Sequence, residues 1–334
     1  MTEKVLSLLG TLIKRVDELV PFNLLPPVAG TVMGRSDESV LAKFLPPLSK
    51  RGEFVSEAVI HQGERKHHLV DFSTPLTNRD PIAENGVLYI SFREAFTKEA
   101  LMSVRSLREH CPDLPVAVFT DKPDLVLESD LKEDPNLYLV HIDPKHVRSK
   151  VDFIHRSPFE NTLYLDSDTV VAHDISDLFD SLRRFDIAVT HDYARKRENY
   201  AEQIDEYDVI PYSFSEVNGG VMAYKANNRV EGFFDLWQEK FYKYFNVTQG
   251  WDQVSLRIAL WQSDVSLYHM PTEYNIVDQE SRDKADRNAN ELGEDHLSPR
   301  IYHAHYDREI KEGEYNVDSL EELRDIVAEK TIDY

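Results

Sequence analysis

The sequence predicts an α/β protein: a mostly parallel sheet flanked by helices, behind an irregular N-terminal extension. Three observations carry this. Short, continuous apolar runs recur from residue 86 onward, the pattern of strands buried on both faces. Helical periodicities separate them, so successive strands are joined by crossovers and run parallel. Finally, the run Thr162-Leu-Tyr-Leu165 stops abruptly at Asp166-Ser167-Asp168. Two carboxylates inside an apolar core would be prohibitively costly, so they must sit where a strand leaves the sheet.

The chain, 334 residues long, has room for one large domain and an appended segment, which we divide at 1–85 and 86–334. Leu6, Leu9, Ile13, Val16 and Val20 recur at helical spacing until Pro21, predicting an amphipathic helix over 3–20. Such a helix packs on its own domain, on a sister subunit or on a membrane surface. From Pro21 to Glu84 prolines break the periodicity, and His61, His67 and His68 match no metal-site spacing. Val87–Phe92 is the first sheet strand. A helix follows over 97–110, with Thr97 as N-cap. Strands are predicted at 116–119 and 137–142, a helix over 144–153, and then the strand that ends in the aspartates. Beyond them come a helix over 176–184, a strand over 186–190 and a long polar, aromatic loop from Tyr193 to Phe214 of the kind that closes over ligands. Val217–Tyr224 is a strand entered through a glycine pair. Val230, Phe233, Phe234, Trp237, Phe241 and Tyr244 stripe one helix, and the stripe reads as core. Trp251-Asp252-Gln253 opens the next helix, 281–294 is a charged surface loop, 300–306 a last strand and 319–329 a closing helix.

Composition excludes several classes. A formal net charge of −22 argues against a nucleic-acid-binding surface, which needs a basic patch. No apolar stretch is long enough to span a membrane, and Lys14, Arg15, Asp17 and Glu18 interrupt the N-terminal run where a signal peptide would be apolar. The single cysteine, Cys111, allows no internal disulfide and fits a reducing, cytoplasmic compartment. In that setting Asn246-Val247-Thr248 is a chance match to a glycosylation acceptor.

Because a strand alternates faces with period two, Asp166 and Asp168 can point the same way. Hard oxygen donors side by side at the carboxyl end of a sheet strand make a seat for Mg²⁺ or Mn²⁺, at the end where open α/β sheets bind ligands. A divalent ion there would also offset the acidic field that repels an anionic ligand. Ser91 and Phe92, ending the first strand, lie at that same edge and are candidate ligand contacts.

The order of strand, L-Y-L-D-S-D, N-G-G, D-Q and a late histidine resembles nucleotide-sugar glycosyltransferases of the GT-A fold, a Rossmann-like sheet, and in particular glycosyltransferase family 8, the glycogenin and lipopolysaccharide galactosyltransferase group. The resemblance spans roughly Gly86 to Tyr306. It implies that Asp166 and Asp168 hold Mn²⁺ or Mg²⁺ on the donor diphosphate, with Ser167 among the donor contacts, and that a late histidine completes the metal site. His303 and His305 both qualify; His303 is preferred because it follows the apolar pair Ile301-Tyr302. Where the family continues with glycine and K-P-W, this chain has Ala304-His305-Tyr306-Asp307-Arg308. The resemblance further implies that Asn218, Gly219 and Gly220 meet the donor sugar, glycine allowing close backbone approach and the amide bonding hydroxyls. A plain β-bulge would also place two glycines in a strand. Asp252 would bind sugar hydroxyls and Gln253 would lie near the anomeric carbon, although an acid is favoured at a helix start in any case. Lys150 corresponds to a basic residue facing the donor, with Arg148 as its alternative.

The expectation is a metal-dependent glycosyltransferase acting on a nucleotide sugar, with uridine diphosphate as carrier and retention of configuration. Asp192 or Asp252 could act as base were the reaction inverting. The acceptor, whether glycan, lipid-linked or protein, is left open. Two rivals are weighed. A sugar-phosphate nucleotidyltransferase needs a glycine-rich basic loop after the first strand, and Arg93-Glu-Ala-Phe-Thr-Lys98 has no glycine. A non-catalytic nucleotide-sugar binder would have little use for both aspartates.

Overall fold

A computed structural model of the chain describes residues 58–60, 68–70, 76–144, 146, 148–277, 279–291 and 297–303. The predicted helices over 3–20 and 319–329, and His305, lie outside the described residues. Ahead of the main sheet, β1 (Ala58–Ile60) and β2 (His68–Val70) pair antiparallel.

The main sheet has seven strands: β3 (Ala83–Ser91), β4 (Val116–Thr120), β5 (Leu137–His141), β6 (Phe159–Leu165), β8 (Ile187–His191), β9 (Val217–Lys225) and β10 (Leu267–His269). Their order is β10-β8-β9-β6-β3-β4-β5. β9 alone pairs antiparallel with its neighbours β6 and β8, and the other pairings are parallel. The mostly parallel sheet expected from the apolar runs is therefore present. Alternation along β3 shows why those runs are continuous. Val87 and Tyr89 enter the apolar layer with α1 (Arg93–His110), while Leu88 and Ile90 enter the opposite layer with α7 (Asn228–Thr248) and α8 (Asp252–Gln262). With both faces covered, neither can be polar.

Several boundaries differ from expectation, each for a local reason. The first strand starts at Ala83, and α1 at Arg93. Thr97 is not a cap: its hydroxyl donates back to the Arg93 carbonyl at 2.9 Å, within the first turn. The segment after β5 does not form the predicted long helix. His146 is drawn onto α7, stacked on Phe241 and bonded to Asp152 and Tyr242, and among the described residues of 144–153 only α3 (Lys150–Phe153) is helical. Between β4 and β5 a short α2 (Pro123–Leu127), and beyond the aspartates a still shorter α4 (Leu178–Ser181), pack on the sheet.

The predicted loop 193–214 holds two single-turn helices, α5 (Glu198–Ala201) and α6 (Asp205–Asp208). Tyr200, Ile204, Tyr207 and Ile210, three or four residues apart, pack on Val254 and Ile258 of α8. The aromatic stripe of α7 is core as expected, with Val230, Phe233, Phe234, Trp237 and Phe241 buried. The predicted loop 281–294 is instead helix α9 (Gln279–Glu291). It is rich in good helix formers and seats the buried Ala285, so propensity outweighs its weak apolar face. Among the described residues no helix is long and apolar enough to cross a membrane.

Two features place the site. β7 (Thr169–Val171), just past the aspartates, pairs antiparallel with β11 (Ile301–His303), setting His303 opposite Thr169. And the β8–β9 register shifts between Val189 and Thr190, where Val189 faces Met222 but Thr190 faces Asn218. The glycines therefore occupy a bulge that leaves the β8 ladder and re-aims the backbone beside the tip of β6.

Candidate active site

The site forms at the carboxyl ends of β6 and β8 and the bulge of β9. Asp166 ends β6, and its N–H still donates to the Gly220 carbonyl at 2.8 Å, so the backbone there is held by the ladder. Its carboxylate accepts from the Tyr164 hydroxyl at 2.5 Å and from Lys150 Nζ at 3.3 Å. Asp166, Asp168 and His303 each offer one ligating atom, and the three atoms lie within 4.8 Å of one another. His303 Nε2 is 3.1 Å from Asp168 Oδ1 and 3.7 Å from Asp166 Oδ2. Burial alone would lower the His303 pKa, but the two carboxylates overcome it and raise it above its ordinary value.

Two hard oxygens and one imidazole nitrogen form a donor set that suits Mn²⁺ or Mg²⁺. The backbone is cut to fit it. A Cβ added at Gly220 would lie 2.2 Å from His303 Cε1 and 2.9 Å from Asp166 Oδ2, so only glycine lets ring and carboxylate approach.

Behind this cluster a buried cation links it to the start of α8. Lys150 Nζ reaches Asp166, the Gly219 carbonyl at 3.4 Å and Asp252 Oδ2 at 3.2 Å. Arg148 Nε stands 3.7 Å from the other oxygen of Asp252. Both basic residues considered for this role thus face Asp252. Burial pulls the Lys150 pKa down, yet Asp166 and Asp252 together hold it above the usual lysine range. Burial pushes Asp252 up, and Lys150 and Arg148 outweigh that, keeping the carboxylate ionised.

A second polar network adjoins the first through Asp192, at the end of β8. Its carboxylate accepts from Gln253 Nε2 at 2.6 Å, Asn218 Nδ2 at 3.4 Å, Arg197 at 3.1 Å and the Ala194 N–H at 3.0 Å. The Arg197 guanidinium also lies 4.2 Å over the Trp251 ring and pairs with buried Glu216. Asp166, Asp168, His303, Lys150, Asn218, Gly219, Gly220, Asp252 and Gln253 are thereby brought into one contiguous site.

The other candidates lie at its edges. Ser167 donates to buried Glu99 of α1 at 3.2 Å. Ser91 is buried at the tip of β3, 3.4 Å from the Thr97 hydroxyl, and Phe92 stacks on Phe96 with ring centroids 5.3 Å apart.

Three members of this constellation had no sequence signal strong enough to single them out. Glu99 sits in a helix with other acids nearby. Arg197 lies in a stretch without periodicity. Asn275 bonds His303, Asn218 and Thr190 and is buried. Its signal was a lone amide in Tyr274-Asn275-Ile276-Val277, an otherwise apolar run.

Residues 160–315 match the family model described as nucleotide-diphospho-sugar transferase. No curated protein matches the chain. Solved structures similar to it include the galactosyltransferase LgtC in complex with donor and acceptor sugar analogues, 11% identical over 75% of this chain and 97% of that one, with a TM-score of 0.47. Others are the glycosyltransferase GlyE of Streptococcus pneumoniae (16% identity, 74% and 62% coverage, TM-score 0.46) and mouse xyloside xylosyltransferase 1 (11%, 67% and 98%, 0.46). Identities this low leave the chemistry to be argued from the side chains. The matched segment runs from β6 through β11 and contains both aspartates, the glycine bulge, Asp252, Gln253 and His303. The stretch similar to nucleotide-diphospho-sugar transferases is thus the one that carries the clustered side chains, within a seven-stranded, mostly parallel sheet.

Proposed function

We propose that the chain moves a sugar from a nucleotide diphosphate, with uridine diphosphate as carrier, to an acceptor hydroxyl, using Mn²⁺ or Mg²⁺ held by Asp166, Asp168 and His303. The observation that carries this is the convergence of those three side chains on the face cleared by Gly220. When bound, the ion supplies a Lewis acid against the charge that develops on the departing diphosphate.

The chain's own groups do the rest. Lys150 adds a second positive charge beside Asp166. The bulge at Gly219 and Gly220 lets a sugar approach the backbone. Asp252, kept ionised, accepts from sugar hydroxyls. The Gln253 amino group is committed to Asp192, so its carbonyl oxygen is the end left for the donor's reactive carbon. Asp192 already accepts four hydrogen bonds, and Asp252 is paired with Lys150 and Arg148. Asp252, held ionised by those two cations, is a weak proton acceptor, and Asp192 is tied up in its hydrogen bonds, which favours retention over an inverting attack that needs a base. The chain after β3 enters α1 without a glycine-rich loop, which speaks against nucleotidyl transfer. With its one cysteine buried and unpaired, we place the activity in the cytoplasm.

The test is incubation of the full-length protein with a panel of nucleotide sugars, with Mn²⁺ and after chelation. Metal-dependent release of a nucleoside diphosphate supports the proposal. Release of pyrophosphate from a nucleoside triphosphate and a sugar phosphate would point to nucleotidyl transfer. Tight binding without turnover would leave only a binding protein.

A further inference from the structure

We propose that Asn275 is a positioning residue that fixes the His303 ring, holding the proton on Nδ1 so that Nε2 presents its lone pair to the cation between Asp166 and Asp168. The inference rests on the metal reading above for its purpose, but its hydrogen-bond logic stands apart from it.

That logic begins at a backbone amide, whose role cannot be reversed. The Gly220 N–H donates to Asn218 Oδ1 at 2.9 Å, which identifies that atom as the amide oxygen. Asn275 lies 3.0 Å from the same oxygen, so the atom it presents there must be its donor, Nδ2. The second Nδ2 hydrogen goes to the Thr190 hydroxyl, also at 3.0 Å. The remaining end of Asn275 is therefore its carbonyl oxygen, an acceptor only, and it meets His303 Nδ1 at 3.1 Å. For that contact to be a bond, Nδ1 must carry the hydrogen. In the neutral ring Nε2 is then the bare nitrogen, and it faces Asp168 and Asp166 at 3.1 and 3.7 Å.

A lone pair against two carboxylates is repulsive, so at Nε2 the pocket favours either a second proton or a cation, and the two compete for the same nitrogen. Asn218, Asn275, Thr190 and His303 are all buried, which leaves little bulk water to substitute for any of these bonds. Metal-bound histidines generally depend on such a partner at the other ring nitrogen. Here one amide serves the imidazole with its oxygen and Asn218, the proposed sugar-binding amide, with its nitrogen. Asn275 thus ties the metal seat to the donor seat.

The experiment uses full-length protein labelled with ¹⁵N-histidine, the His303 signals being assigned by their loss in His303→Gln. At pH 9 without metal, the neutral wild-type ring is expected to carry its proton on Nδ1; a proton on Nε2 overturns the proposal. Mn²⁺ titration by calorimetry then compares variants. Asn275→Ala removes the acceptor and should weaken Mn²⁺ binding roughly 10- to 100-fold. Asn275→Asp keeps an acceptor for Nδ1–H but loses both donors, so Mn²⁺ affinity stays near wild type while KM for the nucleotide sugar rises. A merely structural role would weaken Mn²⁺ binding and raise KM together in both variants, and that result, or wild-type Mn²⁺ affinity in Asn275→Ala, rejects the assignment. Should wild type show the Nδ1 proton yet bind no divalent ion, the relay is upheld and the metal reading falls.

Discussion

Replacing Gly220 with alanine tests the site where its geometry is tightest. The added Cβ would lie 2.2 Å from His303 Cε1, 2.8 Å from Nδ1 and 2.9 Å from Asp166 Oδ2. Carbon atoms in contact sit about 3.5 Å apart or more, so against the 2.2 Å available the ring must retreat by roughly 1.3 Å. It has little freedom to do so, being buried, carried on β11 and bonded to Asn275. Overpacking of this kind costs about 1–3 kcal/mol of stability. A displacement on the order of 1 Å in a positioned group costs roughly 10²-fold in rate. Gly219→Ala is the internal control: its Cβ first meets Leu256 Cδ2 at 3.2 Å, then Lys150 Nζ at 3.7 Å and Asp252 Oδ2 at 3.9 Å. Only a small adjustment of Leu256 is needed there. Calorimetric Mn²⁺ titration, thermal melts and rates of nucleoside diphosphate release should show Gly220→Ala folded, weakened in metal binding and about 10²-fold slower, with Gly219→Ala close to wild type in Mn²⁺ affinity and melting temperature. Equal Mn²⁺ affinity in Gly220→Ala, or equal damage from both substitutions, would refute the reasoning.

Two further outcomes are expected. Lys150→Met leaves Asp166 and Asp252 without the cation between them, and losing one partner of a buried pair costs about 3–5 kcal/mol, read as a lower urea midpoint. Added Mn²⁺ should restore part of the loss, and an unchanged midpoint would contradict the assignment. Away from the site, Asp186 is fully buried under α7; burial alone would push its pKa up, but donation from Ser266, Arg229 and Asn227 holds it far below the carboxylate range. A depressed pKa contributes stability that is present above the unfolded value of about 3.9 and lost as pH falls below it. Asp186→Asn should therefore cost about 2 kcal/mol at neutral pH, by urea unfolding, with the gap to wild type closing toward pH 3. A gap that widens in acid would overturn this.

Much of this was legible in the residues because burial on two faces leaves a one-dimensional trace. The runs at Val87, Val116, Leu137 and Thr162 could only be sheet interior, and acids ending such a run could only be at its tip. Polar helices leave a weaker trace, so α9 looked like a loop although its residues favour helix. β10 has three half-buried residues at a sheet edge, too short for any periodicity to register. In 193–214 the apolar spacing of Tyr200, Ile204 and Tyr207 was hidden among charges.

What the sequence determined by itself was the order of apolar and acidic segments along the chain, and hence the sheet and the edge at which Asp166 and Asp168 emerge. Tertiary structure alone decided the pairing of β7 with β11, the bulge that clears Gly220, and the convergence of Lys150, Asp192 and Asn275 on residues far from them in sequence. The reason is physical: burial depends on local composition and is written locally, whereas a hydrogen-bond partner is chosen by whichever strand or turn the packing brings within about 3 Å.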